Sequence, residues 1–105
     1  MGRREQRMRE ILEAHFPNAE YGLENESSMH AVPAGSETHF KLLLIADDFL
    51  GVSRVERSRR VQGLFSDEFK SGLHALSIRA ITQEEAEKGA RDGFVSPACM
   101  GRRKP

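Results

Sequence analysis

The sequence predicts an α+β fold in which a small three-stranded mixed sheet is backed by helices. Three observations carry this: strand-period alternation over 38–46 and 74–81, apolar spacing of three and four residues before and between those stretches, and Gly, Pro, Asp and Ser at the joints. The resulting order is helix, strand, strand, helix, strand, helix. At 105 residues the chain has the size of one domain. That domain is placed at residues 1–95, with a flexible tail over 96–105 that holds Pro97, Gly101 and a basic end, Arg102, Arg103 and Lys104.

Residues 3–16 set Met8, Ile11, Leu12 and Phe16 on one helical face, and Pro17 with Asn18 supplies the stop. The polar face of this helix, with Arg3, Arg4 and Arg7 near its start, reads as ordinary solvated surface. Residues 20–26 suit a short strand, and 27–37, with Pro33 and Gly35, a long loop. In 38–46, Phe40, Leu42, Leu44 and Ala46 share one face while His39, Lys41, Leu43 and Ile45 share the other. Apolar residues on both faces predict a central, buried strand. Asp47, Asp48 and Gly51 form a turn, and Ser53 caps a helix that holds Val61, Leu64, Phe65 and Phe69 and is broken by Ser71 and Gly72. Residues 74–81 alternate again, with His74, Leu76, Ile78 and Ala80 opposite Ala75, Ser77, Arg79 and Ile81. Thr82 and Glu85 make a capping box for a last helix to about Arg91. The first two strands fit a hairpin with a long loop, and the middle helix can carry the chain across to a third strand lying parallel to a neighbour.

Hydrophobic residues at 38%, charged residues at 30% and a formal net charge of zero describe a soluble globular chain without global attraction to nucleic acid or membrane. The single cysteine, Cys99, excludes an intrachain disulfide and any all-cysteine metal site built from one chain. This suits a reducing compartment, cytoplasmic or, for a eukaryotic source, mitochondrial. No apolar run approaches the roughly 18 residues of a membrane span, and the N-terminal stretch has no signal-peptide core. Neither a nucleophile elbow, a phosphate loop nor an HExxH helix is present, and Asp47 and Asp48 read as turn residues, so no enzyme is expected.

The chemistry-bearing residues are few. The segment HAVPAGSETHFK, residues 30–41, holds His30 and His39, and His74 opens the last alternating stretch. A lone histidine with the parity of Leu76 and Ile78 is either a satisfied core residue or a metal ligand. His15 packs or caps on the first helix. Cys99, after Pro97, is a candidate redox thiol, with an inert tail residue as the plainer reading. Arg54, Arg57, Arg59 and Arg60 cluster on the middle helix, where they would contact phosphates, dock a partner or simply be solvated. No GXXG loop precedes that helix, which disfavours single-stranded nucleic acid, and the neutral net charge argues against strong unassisted duplex binding.

HAVPAGSETHFK, then RSRRVQGLF from Arg57, then LHALSIRAIT from Leu73, closely resemble the BolA-like proteins, in order and over nearly the whole chain. The late SPAC, from Ser96 to Cys99, is similar to the tail of some members. The resemblance implies an αββα(α)βα fold akin to the type II K-homology domain. It implies association with a monothiol glutaredoxin around a shared, glutathione-containing [2Fe–2S] cluster, in iron–sulfur assembly, trafficking or iron sensing. The isolated chain would then be a cofactor-free monomer that forms a heterodimer with its partner. Some bacterial members are DNA-binding regulators of morphology and stress response, which is the alternative function. Of the ligands, the resemblance implies His74 in LHAL and His30 in HAVP, with His39 in reserve. Neutral imidazole can replace thiolate on iron, and histidine ligation raises the reduction potential and weakens as pH falls.

Overall fold

A computed structural model of the chain describes residues 2–29, 32–33 and 35–100. Helix α1 spans Arg3–His15, β1 Glu20–Asn25, β2 His39–Ile45, α2 Arg54–Leu64, α3 Ser66–Lys70, β3 Ala75–Ile81, and α4 is the single turn Gln83–Glu85. Short 3-10 turns at Ser27–Met29, Asp47–Phe49 and Pro97–Cys99 lie between or after them. The sheet order is β1-β2-β3. β2 is the central strand, antiparallel to β1 with Leu23 opposite Leu42, and parallel to β3 with His39 opposite Ala75 and Ile45 opposite Ile81. This is the mixed α+β sheet predicted above, with the α2–α3 pair as the parallel crossover.

The two faces of β2 feed two clusters. Phe40, Leu42 and Leu44 join Met8 and Leu12 of α1, Val61 of α2, and Phe65 in the main core. On the opposite face Leu43 and Ile45 pack with Ile81 and Ala86, and Phe94, Val95 and Met100 lie over them. The apolar period of 38–46 therefore has a physical cause on both sides of the strand. Met100 also forms an antiparallel bridge with Gly22, where a Cβ would overlap Val95 and Met100, so only glycine lets this segment lie so close to β1. Ser96–Met100 is the described part of the segment expected as a tail; the basic Arg102, Arg103 and Lys104 lie outside the described residues.

Both predicted caps are present. The Ser53 hydroxyl accepts from the Glu56 amide, and Thr82 and Glu85 exchange side-chain and backbone hydrogen bonds in a capping box. Two helices differ from expectation. The middle helix is not continuous: at Phe65 the backbone leaves helical geometry (φ −106°, ψ 20°) while the ring stays fully buried, so packing of that ring wins over continuation of the helix. The last helix has only one α turn before a wider π turn over Ala86–Ala90, which Gly89 (φ 99°) ends.

Charged residues tie these elements together. Arg4 and Arg7 both reach the buried Glu68 carboxylate at 2.7 Å, Arg9 bonds the Leu23 carbonyl and lies over the Tyr21 ring, and Arg91 holds Glu20 at 2.6 Å. The start of α1 is exposed at Arg3 and Arg7, as expected of a solvated face, but Arg4 and Arg7 are tied to a partner that composition could not announce, more than 60 residues away in sequence. The guanidinium of Arg7 holds the Glu68 carboxyl below the usual carboxylate range. Burial, reinforced by its hydrogen bond to Glu13, pushes the Tyr21 phenol up to about 12.

Candidate metal centre

The parallel register of β2 and β3 brings their first residues to one rim of the sheet. His39 begins β2, and His74 precedes β3 by one residue. Two backbone amides, those of His74 and Ala75, donate to the Thr38 carbonyl at 2.8 and 3.1 Å, which fixes the start of β3 against the start of β2. The two imidazoles then stand edge to face, ring centroids 6.0 Å apart and planes at 80°. His74 is exposed and His39 half-buried. The reserve histidine is therefore the one the fold sets beside His74, although the two positions differ in face parity. At a strand's first residue the side chain can turn over the rim rather than stand on either face.

A hydroxyl network supports His39. The Thr38 hydroxyl lies 2.8 Å from its Nδ1, the type of neighbour that sets the tautomer of a metal-binding imidazole. Buried Ser27 accepts hydrogen bonds from the amides of Thr38 (2.9 Å) and His39 (3.2 Å), while its own amide donates to Asn25 Oδ1. These bonds clamp the stem of the 26–38 loop, over a cleft of about 430 Å³ lined in part by Ser27, Val32, Pro33 and Ser36. His30 lies outside the described residues.

Among the described residues no three His, Cys, Asp or Glu side chains gather as a metal site. Two neighbouring imidazoles with water on one side form an incomplete donor set. Such a set fits a metal or cluster whose other ligands come from a second molecule. Cys99 is elsewhere: half-buried beside β1, its Sγ accepts from the Ser96 hydroxyl at 3.2 Å and its carbonyl accepts from Arg9.

The four arginines of the middle helix do not share one surface. Arg57 is buried, donating to the carbonyls of Val52 (2.8 Å) and Ala80 (3.1 Å) and to Glu85 (2.7 Å). It is a structural tie between α2, β3 and α4 and offers nothing to a ligand. Its guanidinium, with the Thr82 amide, draws the Glu85 carboxyl down to about 2. Arg54, Arg59 and Arg60 are exposed, the last two paired with Glu56 on the same helix. No periodicity or motif marks Ser27, Glu37 and Thr38 as part of the rim; the run Glu37-Thr38-His39, polar residues directly before an apolar strand, is the one local signal for the last two.

The family model described as BolA-like protein matches residues 12–85. A curated relative from Escherichia coli, named DNA-binding transcriptional regulator BolA, is 36% identical over 96 residues, 91% of each chain. Among solved structures, the BolA domain of SufE1 from Arabidopsis thaliana is 46% identical with a TM-score of 0.74, covering 81% of this chain and 98% of that one. The solution structure of BolA1 from Mus musculus is 37% identical with a TM-score of 0.78, covering 96% of this chain and 81% of that one.

Proposed function

The chain belongs to the BolA-like family, and on that premise we propose that it is a non-catalytic iron–sulfur accessory protein that binds a monothiol glutaredoxin and completes ligation of a glutathione-containing [2Fe–2S] cluster, for assembly, trafficking or iron sensing. The observation that carries this reading is the His39–His74 pair, two imidazoles side by side on an open rim without a third ligand among the described residues. His74 is the first ligand. The second is an imidazole of the HAVPAGSETHFK segment: the ring geometry supports His39, and the resemblance of that segment implies His30. Such a cluster supplies electron storage and mobile iron and sulfide, with the partner's thiolates completing its coordination. This chain contributes two neutral donors, orients one of them through Thr38, and keeps them accessible at the rim.

Titration of the apo protein into cluster-loaded monothiol glutaredoxin, followed by visible circular dichroism, tests the proposal. A changed spectrum that His74→Ala abolishes is expected. No change on mixing, or an unaltered response from His74→Ala, overturns it. Comparison of His39→Ala with His30→Ala assigns the second ligand.

A second reading, a DNA-binding regulator, has one specific observation in its favour: the name of the E. coli relative. The surface for it is narrower than the sequence implied, consisting of Arg54, Arg59 and Arg60 without Arg57. Duplex affinity measured against salt should lose about 0.9 in log–log slope for each phosphate contact removed. Unchanged affinity in the Arg54, Arg59, Arg60 triple-alanine variant rejects this surface.

A further inference from the structure

The first turn of α1 touches both arms of the histidine rim. On one arm, Glu37 stands one residue before Thr38 and two before His39; its carboxylate accepts the amides of Arg4 (3.2 Å) and Glu5 (2.9 Å). This caps α1 from a distant segment, since the N-cap residue is Gly2 and has no side chain to do so. On the other arm, Arg4 reaches the end of α3, three residues before His74. Its Nη1 donates to the Glu68 carbonyl (3.0 Å) and the Ser71 hydroxyl (3.1 Å), and its Nη2 to the Ser71 carbonyl (3.1 Å). The same Glu68 carbonyl accepts from the Leu73 amide at 2.8 Å, so the guanidinium grips the turn that delivers His74. Gly72 makes this approach possible, because it has φ +127° and a Cβ there would press on Arg4 Nη2.

These bonds close a ring: Arg4 backbone to Glu37, Glu37 by covalent chain to Thr38, the Thr38 carbonyl to the His74 amide, and His74 back through Ser71 to the Arg4 side chain. Arg4 occupies this position although its Nε is buried without a hydrogen-bond partner, a cost that a peripheral arginine avoids by staying in water. The Thr38 carbonyl joins the two strand starts directly, and the shared helical turn braces the segments that lead into them, 37–38 and 71–73, from outside the sheet.

We infer that Arg4 and Glu37 are positioning residues that use the first turn of α1 to hold the two histidine-bearing strand starts at a preset separation. The rim is then organised before metal or partner arrives. This rests on the reading of His39 and His74 as ligands only for its functional meaning, and its test does not require a cluster.

The experiment is NMR on the 105-residue chain without metal, observing the nuclear Overhauser contact between the His39 and His74 ring protons and their ring chemical shifts, with thermal unfolding followed in parallel. Truncation to alanine would mix repositioning with unfolding, so the variants are Arg4→Lys and Glu37→Gln, which keep size and most polarity. Arg7→Lys is the control, because Arg7 binds the Glu68 side chain but has no bond to Ser71. The inter-ring contact should be lost and both ring shifts displaced in Arg4→Lys and Glu37→Gln while the fold persists, and Arg7→Lys should keep the contact at whatever stability it has. Retention of wild-type contact and shifts in the two folded variants overturns the inference, as does an equal loss in Arg7→Lys. Failure of the ligation reading is separate: there, His74→Ala leaves the cluster spectrum unchanged while the NMR result still stands.

Discussion

The two ends of the β2–β3 pair are built from similar materials to opposite effect. At the far end, the Ala46 amide bonds the Ile81 carbonyl, and buried Arg57 ties Ala80 to the Glu85 capping box. Its charge is enclosed by partners. At the near end, Ser27, Glu37 and Arg4 also anchor backbone with polar side chains and the Thr38 hydroxyl meets the His39 ring, yet the two groups they surround, His39 and His74, are left at the water boundary. The contrast teaches that burial of polar groups here serves placement. One end uses its polar residues to hold secondary structure together, and the other holds a pair of imidazoles at a set distance without covering them.

The comparison predicts a gradient of effects on stability. Arg57→Met should cost the most, about 3 kcal/mol, because it removes the bonds to Val52, Ala80 and Glu85 and strips the Glu85 carboxylate of its charged partner; urea unfolding measures it, and a loss below about 1 kcal/mol would mean that the far end is not held as described. Ser27→Ala leaves two amides of the near-end stem without their acceptor and should cost about 1–2 kcal/mol in the same assay.

The acid limb separates the ends by mechanism. The carboxyl of Glu85 is drawn down to about 2 by Arg57 and the Thr82 amide, so its folded form binds a proton less readily than the unfolded chain, whose glutamates titrate at about 4.3. Its contribution is complete above that unfolded value and disappears as pH falls towards 2. Stability followed across this window should therefore slope less steeply in Glu85→Gln than in the wild type; identical slopes would contradict the Arg57–Glu85 tie. Smallest of all, His74→Ala should alter stability by no more than about 0.5 kcal/mol, since the side chain is exposed. A larger loss would make His74 a structural residue and weaken its reading as a ligand.

Much of the fold was legible from local pattern. Periodicity identified Met8 and Leu12, the two faces of β2, and the alternation of β3, because burial repeats at the period of each element. Ser53 and the Thr82–Glu85 box were legible because a cap is a bond between residues three apart. The break at Phe65 and the shortened last helix were not, since both follow from how rings and glycine fit against distant surfaces. Cys99, Phe94 and Met100 show the same limit: nothing near them in sequence announces that their segment lies against the sheet.

The candidate site divides in the same way. The sequence by itself determined the order of elements, the two strand starts that bear histidine, the lack of a cysteine ligand set, and the family. Only the tertiary structure decided that His39 stands beside His74, that Arg57 is enclosed while Arg59 and Arg60 are not, and that α1 bridges Glu37 to Ser71. The reason is range. Periodicity and caps are bonds between near neighbours, whereas His39 meets His74 across 35 residues through the parallel register, and Arg4 finds Glu68 and Ser71 across more than 60. Residue type alone does not encode which distant partner will be there.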